Sequence, residues 1–231
     1  MHASPLAILS LVLAATHAAL AADSEGPTRL MIQTLKLKDS LAKLAKTTKA
    51  FYHSSNTTIS QAFIGAVLSD PPLSAIQWFV IPNNTTTQPT DFLTPFLPHT
   101  INSESGITQT YVTLPNTSLL LSAARDGLYT QTSITTILAH VDRVQLEADS
   151  YVLAKSAMED GGAYASTYGY GDGDGEKGDV EYVVISGWEV PSDFDGWRDN
   201  MNETMKATFV RWVNSLADVP PPRFITNFVE L

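Results

Sequence analysis

Histidine is the first residue type to consider as a general base, and the chain has few histidines. Beyond the N-terminal segment, only His53, His99 and His140 remain. His140 lies where a predicted strand ending at Leu138 turns into a predicted helix, and Asp142 is placed to orient its ring. The sequence therefore offers His140 and Asp142 as the candidate catalytic pair. The alternative for all three histidines is an ordinary surface or helix-capping role.

Other catalytic and cofactor motifs are missing from the sequence. No two of the remaining histidines have the i, i+4 spacing of a metal site, and there is no cysteine. The acidic turn Gly171–Asp179 fails the calcium-loop pattern, because counting from Asp172 puts Lys177 where the pattern requires glycine. A glycine-rich nucleotide loop and a nucleophile turn of the Gly-x-Ser-x-Gly type are also absent. The sequence thus predicts no metal and no organic cofactor, and gives no support for a hydrolase.

Aromatic side chains form the second candidate set. They fall in predicted strands or helices and are Trp78, Tyr168, Tyr182, Trp188 and Trp197. Such rings either line a ligand cavity or fill a hydrophobic core, because large aromatic side chains dominate the energetics of both. The strand register decides between these alternatives, since a shift of one residue reverses which of Trp78 and Phe79 points inward.

The N-terminus has the pattern of a secretory signal peptide. Pro5–Ala15 is almost wholly apolar, and Ala19-Leu20-Ala21 fits the small-x-small cleavage pattern. The apolar stretch is shorter than the ~20 residues that a membrane-spanning helix needs. We therefore expect a signal peptide over residues 1–21, a mature chain from Ala22, and a secreted, extracellular protein.

Sequons, charge and cysteine content agree with this compartment. The Asn-x-Ser/Thr sequons predict glycosylation at solvent-facing positions, which are Asn56, Asn83, Asn84, Asn116 and Asn202. A protein without cysteine must be stabilised by a hydrophobic core, because it can form no disulfide. The formal net charge of −10 disfavours nucleic acid as a partner. No later segment has the length of a membrane span, so no membrane association is expected.

Hydrophobic periodicity gives the same order of elements twice along the mature chain. We predict one βαββαβ unit in residues 22–120 and a second in residues 121–231. The first unit has predicted strands at Arg29–Lys38, Gln61–Leu68, Ala75–Ile81 and Thr108–Leu114, and helices at Ser40–Tyr52 and Asp91–Leu97. The second has predicted strands at Leu128–Leu138, Ala163–Tyr170, Val180–Val190 and Arg223–Val229, and helices at Asp142–Met158 and Ser192–Leu216.

Two of these strands predict how the units pack. Ala75–Ile81 and Val180–Trp188 are largely apolar on both faces, so both faces must be covered. The predicted fold is α+β, with two tandem ferredoxin-like βαββαβ units packed sheet to sheet. Within the units, Ile81-Pro82 matches Val190-Pro191, which sets Phe79 opposite Trp188.

The segment Glu181–Arg198, which reads EYVVISGWEVPSDFDGWR, resembles the dimeric α+β barrel superfamily. Within it, the segment is similar to the antibiotic-biosynthesis-monooxygenase-like (ABM) group, in which a strand ending in Gly-Trp-Glu precedes a helix with Trp-Arg. The βαββαβ order extends the resemblance over essentially the whole mature chain. It implies a barrel formed within one chain, as in tandem-repeat fungal relatives.

The resemblance also implies a function in secondary metabolism. Members of the group hold a phenolic polyketide with aromatic and polar side chains and oxidise it without a cofactor. On this basis we expect a small aromatic or polyketide-like ligand in the barrel and a monooxygenase- or isomerase-like reaction. Trp78, Trp188 and Trp197 would line the site, Tyr168 or Tyr182 would donate a hydrogen bond, and His140 would be the base.

The alternative is a non-catalytic extracellular binding or interaction protein on the same fold. A buried polar cavity holding His140 or a tyrosine hydroxyl would favour an enzyme, whereas a barrel filled by tryptophan would favour a scaffold. In either case we expect a monomer with an internal pseudo-dimer, or a weak homodimer.

Overall fold

The computed structural model describes residues 27–55, 58–68, 74–82, 91–101, 106–171 and 180–231. The strands in these ranges are β1 Thr28–Lys36, β2 Gln61–Ala66, β3 Ser74–Ile81, β4 Ile107–Leu114, β5 Tyr129–Ile137, β6 Ala165–Gly171, β7 Val180–Trp188, β8 Arg223–Thr226 and β9 Val229–Glu230. The α-helices are α1 Leu41–Ser54, α2 Thr117–Arg125, α3 Arg143–Glu159, α4 Asp193–Asp199 and α5 Glu203–Val213. The predicted signal peptide, residues 172–179 of the acidic turn, and the sequons at Asn56, Asn83 and Asn84 lie outside the described residues.

All nine strands belong to one antiparallel sheet with the order β8-β5-β7-β6-β4-β1-β3-β2-β9. The first half, β1–β4, and the second half, β5–β8, repeat the same internal order, so the predicted α+β fold is confirmed. The halves join where Val112 and Thr113 of β4 pair with Gly171 and Tyr170 of β6.

The chain end closes the sheet on its other side. After β8 pairs with β5, β9 crosses to the first half and pairs with β2. Thr226 also forms a bridge to Val67, and the Leu68 amide donates to the Ile225 carbonyl over 2.7 Å. The predicted last strand, Arg223–Val229, is therefore two short strands that belong to different halves.

The inner face of the curled sheet holds a large apolar core. Trp78 is fully buried there, with its ring centroid 4.2 Å from that of Phe228 and 6.3 Å from that of Phe63. Phe79, the next residue, points to the outer face, where it packs under α1 against Phe51 and Phe96. Strand β3 is thus buried on both faces, as its apolar sequence predicts.

Helix α2 lies on the inner face and was not predicted. It begins at the Asn116 cap, whose Oδ1 accepts from the Leu119 amide over 3.0 Å. Leu120 and Ala123 then pack into the inner core against β6 and β7. The helix spans the residues where the first unit was expected to end and the second to begin.

Two predicted helices are wrong in their extent. The helix expected at Asp91–Leu97 is a set of turns followed by a short 3₁₀ turn at Leu97–His99, because Pro95 and Pro98 remove amide donors within four residues. The helix expected at Ser192–Leu216 is split into α4 and α5. Its break occurs where the Asn202 side chain caps α5 by accepting from the Met205 amide.

The buried face of α3 also differs from the prediction. The helical spacing of the apolar residues predicts that Val144 and Val152 face the sheet, but they are 66% and 40% exposed. The face that α3 turns to the sheet carries polar and small side chains among its leucines, including Ser150 and Ala157. Apolar periodicity predicts the wrong face for α3 because the face toward the sheet lines a cavity.

In the described part of the chain, no helix combines the length and hydrophobicity that a membrane crossing needs.

Candidate functional site

A cavity of about 370 Å³ lies between the outer face of the second half and its helices. This volume is within the range of small-molecule sites. The sheet contributes the floor, α3 and α5 contribute the walls, and α4 with the segment before β8 forms the mouth. The sequence predicts a ligand inside the barrel. The cavity instead lies outside the barrel interior.

Aromatic rings and small hydroxyl side chains line this cavity together. Its rings come from Tyr168, Tyr182, Phe194, Trp197, Phe209 and Trp212, and its hydroxyls from Ser133, Ser150, Ser166 and Ser186. Apolar walls with a few polar groups are typical of sites that bind a small, largely apolar molecule.

A chain of hydrogen bonds runs along the floor of the cavity. The Trp212 indole donates to the Tyr182 hydroxyl over 3.2 Å, and Tyr182 donates to Ser150 over 2.6 Å. Ser150 donates in turn to the Leu146 carbonyl over 2.6 Å. Each donor has a partner, so these side chains are held in place. Turning any of them toward a ligand would break a hydrogen bond.

Burial raises the pKa of Tyr168 and of Tyr182 above the ordinary value of 10.0, because a buried phenolate loses its hydration. Both residues are thus neutral phenols at physiological pH. Among the described residues that line the cavity, none is a histidine or a carboxylate. The lining can donate hydrogen bonds, but it supplies no general base of ordinary pKa.

Ser166 and Ser186 form a side-chain pair on the cavity floor that can offer a hydroxyl proton. Their Oγ atoms are 2.8 Å apart on neighbouring strands, and both side chains are almost fully buried. The pair holds two protons and uses one between its members. The other is available for an oxygen or nitrogen acceptor of a bound molecule.

Two arginines form the polar edge of the cavity mouth. Arg198 of α4 and Arg223 of β8 each bond the Asp195 carboxylate, at 3.0 and 3.2 Å. The Arg223 guanidinium also lies 5.1 Å from the ring centroid of Phe194. Aromatic stacking and ion pairing together fix the position of this guanidinium.

The first half fills the place that corresponds to this cavity. When Ile81-Pro82 is matched to Val190-Pro191, the row Gln33, Gln77 and Ile64 corresponds to Gln131, Ser186 and Ser166. The first row is fully or almost fully buried.

Hydrogen bonds hold the filled row in place. Gln77 donates to Gln33, Gln33 donates to the Phe92 carbonyl over 2.7 Å, and Thr48 donates to Gln77 over 2.8 Å. Replacement of Gln77 and Ile64 by two serines opens the space in the second half. The sequence signal for this site is therefore the pair of serines that stand where the first unit has Gln77 and Ile64, and aligning the two units strand by strand would have found it.

Known proteins resemble this chain in structure only. No family model matches the sequence, and no curated protein matches it. An anthrone oxidase-like protein superposes with a TM-score of 0.53 at 11% identity, covering 90% of this chain and 93% of the other. A proposed monooxygenase from Lactobacillus acidophilus NCFM gives a TM-score of 0.52 at 12% identity, covering 89% and 94%. A chlorite dismutase variant from Candidatus Nitrospira defluvii gives 0.53 at 12% identity, covering 93% and 95%.

The chain has the α+β barrel fold of these monooxygenase-like proteins. The comparison spans nearly the full length of both chains, which agrees with the strand order. At this level of identity, the likeness shows the fold and leaves the chemistry to the residues of the site.

The barrel places the predicted aromatic residues on two different faces. Tyr168, Tyr182 and Trp197 line the cavity. Trp188 lies behind it, with its ring centroid 6.1 Å from that of Phe194 and 6.3 Å from that of Trp197. Trp78 points into the barrel core and does not line this cavity, so the structure does not bring it together with the other predicted rings.

The predicted catalytic pair is not part of the cavity. His140 is exposed at the turn before α3, outside the cavity lining. The Asp142 carboxylate caps α3, accepting from the amides of Val144 and Gln145 at 2.9 and 3.3 Å. Asp142 therefore stabilises the helix start and does not orient His140 toward a ligand.

The two described sequons also differ from each other. Asn202 is exposed at the start of α5, whereas Asn116 is only 8% exposed. The expectation of a solvent-facing position is thus wrong for Asn116, because its side chain caps a helix inside the barrel. The described residues contain no group of three or more His, Asp or Glu side chains placed to hold a metal ion.

Proposed function

We propose that this is a secreted protein that binds a small aromatic molecule in the cavity of its second half. The observation that carries the proposal is the contrast between the halves. The first half fills the space under its helix with Gln33, Gln77 and Ile64, whereas the second half keeps about 370 Å³ open above Ser166 and Ser186. A solid core would be more stable, because an apolar cavity forfeits packing contacts.

The lining selects the ligand class. Rings of Tyr168, Trp197 and Phe209 offer flat apolar contacts, and the Ser166–Ser186 pair offers a hydrogen-bond donor on the floor. An aromatic molecule with an oxygen substituent, as in a phenol or a polyketide, fits both features. The N-terminal pattern supports the extracellular location that we propose, and we expect a monomer or a weak homodimer.

A second candidate function is oxidation of the bound molecule by oxygen. Structural neighbours named as anthrone oxidase-like and as a proposed monooxygenase favour it. The described lining provides no base to deprotonate a phenol, so a substrate would have to enter as its anion or ionise without help from an ordinary carboxylate or histidine. His140 is not retained as the base, since it is exposed outside the cavity lining.

The test introduces the first half's side chains into the cavity. We would measure binding of a panel of phenols and anthrones to the purified protein by tryptophan fluorescence, with oxygen uptake recorded in parallel. The double substitution Ser166→Ile with Ser186→Gln copies the filled row. We expect saturable binding to the wild-type protein and a loss of at least about tenfold in the double variant, which is ~1.4 kcal/mol.

Ser192→Gln serves as the control, because Ser192 is exposed at the start of α4 and outside this cavity. Circular dichroism and urea unfolding establish that each variant is folded. Equal binding by the wild-type and double variants would contradict the cavity as the site. Binding without oxygen uptake would leave the binding function and remove the oxidase candidate.

A further inference from the structure

The charged side chains at the cavity mouth are unevenly placed. Arg198 and Arg223 both line the cavity, whereas the carboxylate they share does not. Asp195 lines a separate surface groove that also contains Asp160 and Asp193. The cavity lining therefore includes both arginine side chains but not the carboxylate that they bind.

A cavity lining with basic but no acidic residues is unusual for an acidic protein. The chain has 24 acidic and 14 basic residues, and yet the described cavity lining contains two arginines and no acidic residue. Ion pairs outside the cavity hold Arg198 in place, one to Asp195 at 3.0 Å and one to Asp199 at 3.0 Å. Fixed cations at the edge of an apolar cavity favour a ligand with negative charge at that edge.

We propose, on the basis of the binding function proposed above, that the ligand is an aromatic carboxylate. Its ring lies against Trp197 and Tyr168, and its carboxylate binds Arg198 and Arg223 at the mouth. A guanidinium presents parallel N–H donors that match the two oxygens of a carboxylate. The ligand's carboxylate joins Asp195 on the two arginines or takes its place.

Distances within the mouth make this arrangement selective. Both arginines contact the same oxygen, Oδ1 of Asp195, so one carboxylate holds their guanidinium groups close together, and a ligand carboxylate has to share or replace that contact. The Arg223 guanidinium stands 5.1 Å from the Phe194 ring centroid, and Phe194 also lines the cavity. A flat ligand that contacts Phe194 thus brings its polar substituent to the arginines, whereas a neutral substituent gains little there.

The experiment compares two ligands that differ only in charge. Isothermal titration calorimetry of the full chain with naphthalene-2-carboxylate and with naphthalene-2-carboxamide keeps the rings constant. We expect the carboxylate to bind the wild-type protein about 10- to 100-fold more tightly, the range that hydrogen bonds to charged groups contribute. Arg223→Gln and Arg198→Gln should each reduce carboxylate binding much more than carboxamide binding. Asp195→Asn should strengthen carboxylate binding alone.

Lys206→Gln is the charge-matched control, because Lys206 pairs with Glu203 on the surface of α5 and does not line the cavity. If Arg223→Gln fails to fold, Arg223→Lys keeps the charge and removes the planar fork, and a partial loss of preference is expected. Equal binding of both naphthalenes, unchanged in the arginine variants, would overturn the inference and leave the proposed binding function intact. Absence of binding by both would contradict the proposed function and the inference together.

Discussion

The Tyr182 hydroxyl donates a hydrogen bond of 2.6 Å to the Ser150 hydroxyl, joining strand β7 to helix α3 across the cavity floor. The same phenol accepts from the Trp212 indole of α5, so one oxygen atom connects the sheet to both covering helices. Tyr182 is fully buried, and water cannot replace either bond without entering the wall.

Tyr182→Phe should therefore destabilise the protein. The substitution leaves the indole N–H of Trp212 without a partner in a buried site, and unpaired buried polar groups cost about 1–3 kcal/mol each. Urea unfolding should show a loss in that range. Tyr164→Phe is the control, because Tyr164 is 48% exposed, and its loss should stay within about 0.5 kcal/mol. Equal losses in the two variants would contradict the role of the Tyr182 hydroxyl.

Stability should fall above the ordinary pKa of tyrosine. Burial raises the pKa of Tyr182 and Tyr168 in the folded protein, so the folded state holds these protons at pH values where the unfolded chain has released them. Their contribution is fully present below pH 10.0, the unfolded value, and declines as the pH rises beyond it. Urea unfolding between pH 8 and pH 11 should show this decline, and the difference between wild type and Tyr182→Phe should shrink above pH 10. A constant difference across the range would argue against a raised pKa at Tyr182.

Much of the fold follows from the sequence. Strands such as β3, which is apolar on both faces, require cover on each side, and the repeated element order supplies it. The match of Ile81-Pro82 to Val190-Pro191 placed Phe79 and Trp188 on equivalent faces, and the structure puts both under helices. Helix α2 was missed because its short apolar run lies between the units.

The site was harder to predict because small side chains, and not large ones, open the cavity. Ser166 and Ser186 look like ordinary polar strand residues, and only their register and the larger residues of the first half show that they open a cavity. The buried face of α3 was predicted wrongly for the same reason. An amphipathic pattern expects large apolar residues on that face, but the side toward the cavity carries Ser150 and Ala157. The residue type of His140 predicts a base, but its position at a turn leaves the side chain in solvent.

Glycosylation should differ between the two described sequons. Asn202 is exposed, whereas Asn116 is buried and its Oδ1 caps α2. A glycan on Asn116 would have to pass through the packed core, so the folded protein should carry none there. Peptide mass spectrometry of protein secreted by a eukaryotic host, with and without glycosidase treatment, should find Asn116 unmodified. A glycan at Asn116 in folded protein would contradict the placement of α2.

Close packing of α2 on β7 provides a last prediction, which concerns two glycines. A Cβ atom on Gly187 would lie 2.6 Å from the Ala123 carbonyl oxygen and 2.8 Å from its Cα, both backbone atoms of α2. Gly187→Ala should therefore push α2 away from the inner face and destabilise the fold by about 1–3 kcal/mol. Gly196→Ala is the matched control, because a Cβ atom there meets nothing within 4 Å and the residue lies within α4. Alanine favours a helix over glycine by roughly 0.5–1 kcal/mol, so this variant should be unchanged or more stable. Opposite signs in urea unfolding would support α2 as a packed part of the barrel interior, whereas a harmless Gly187→Ala would show that the helix can move away from β7 without cost.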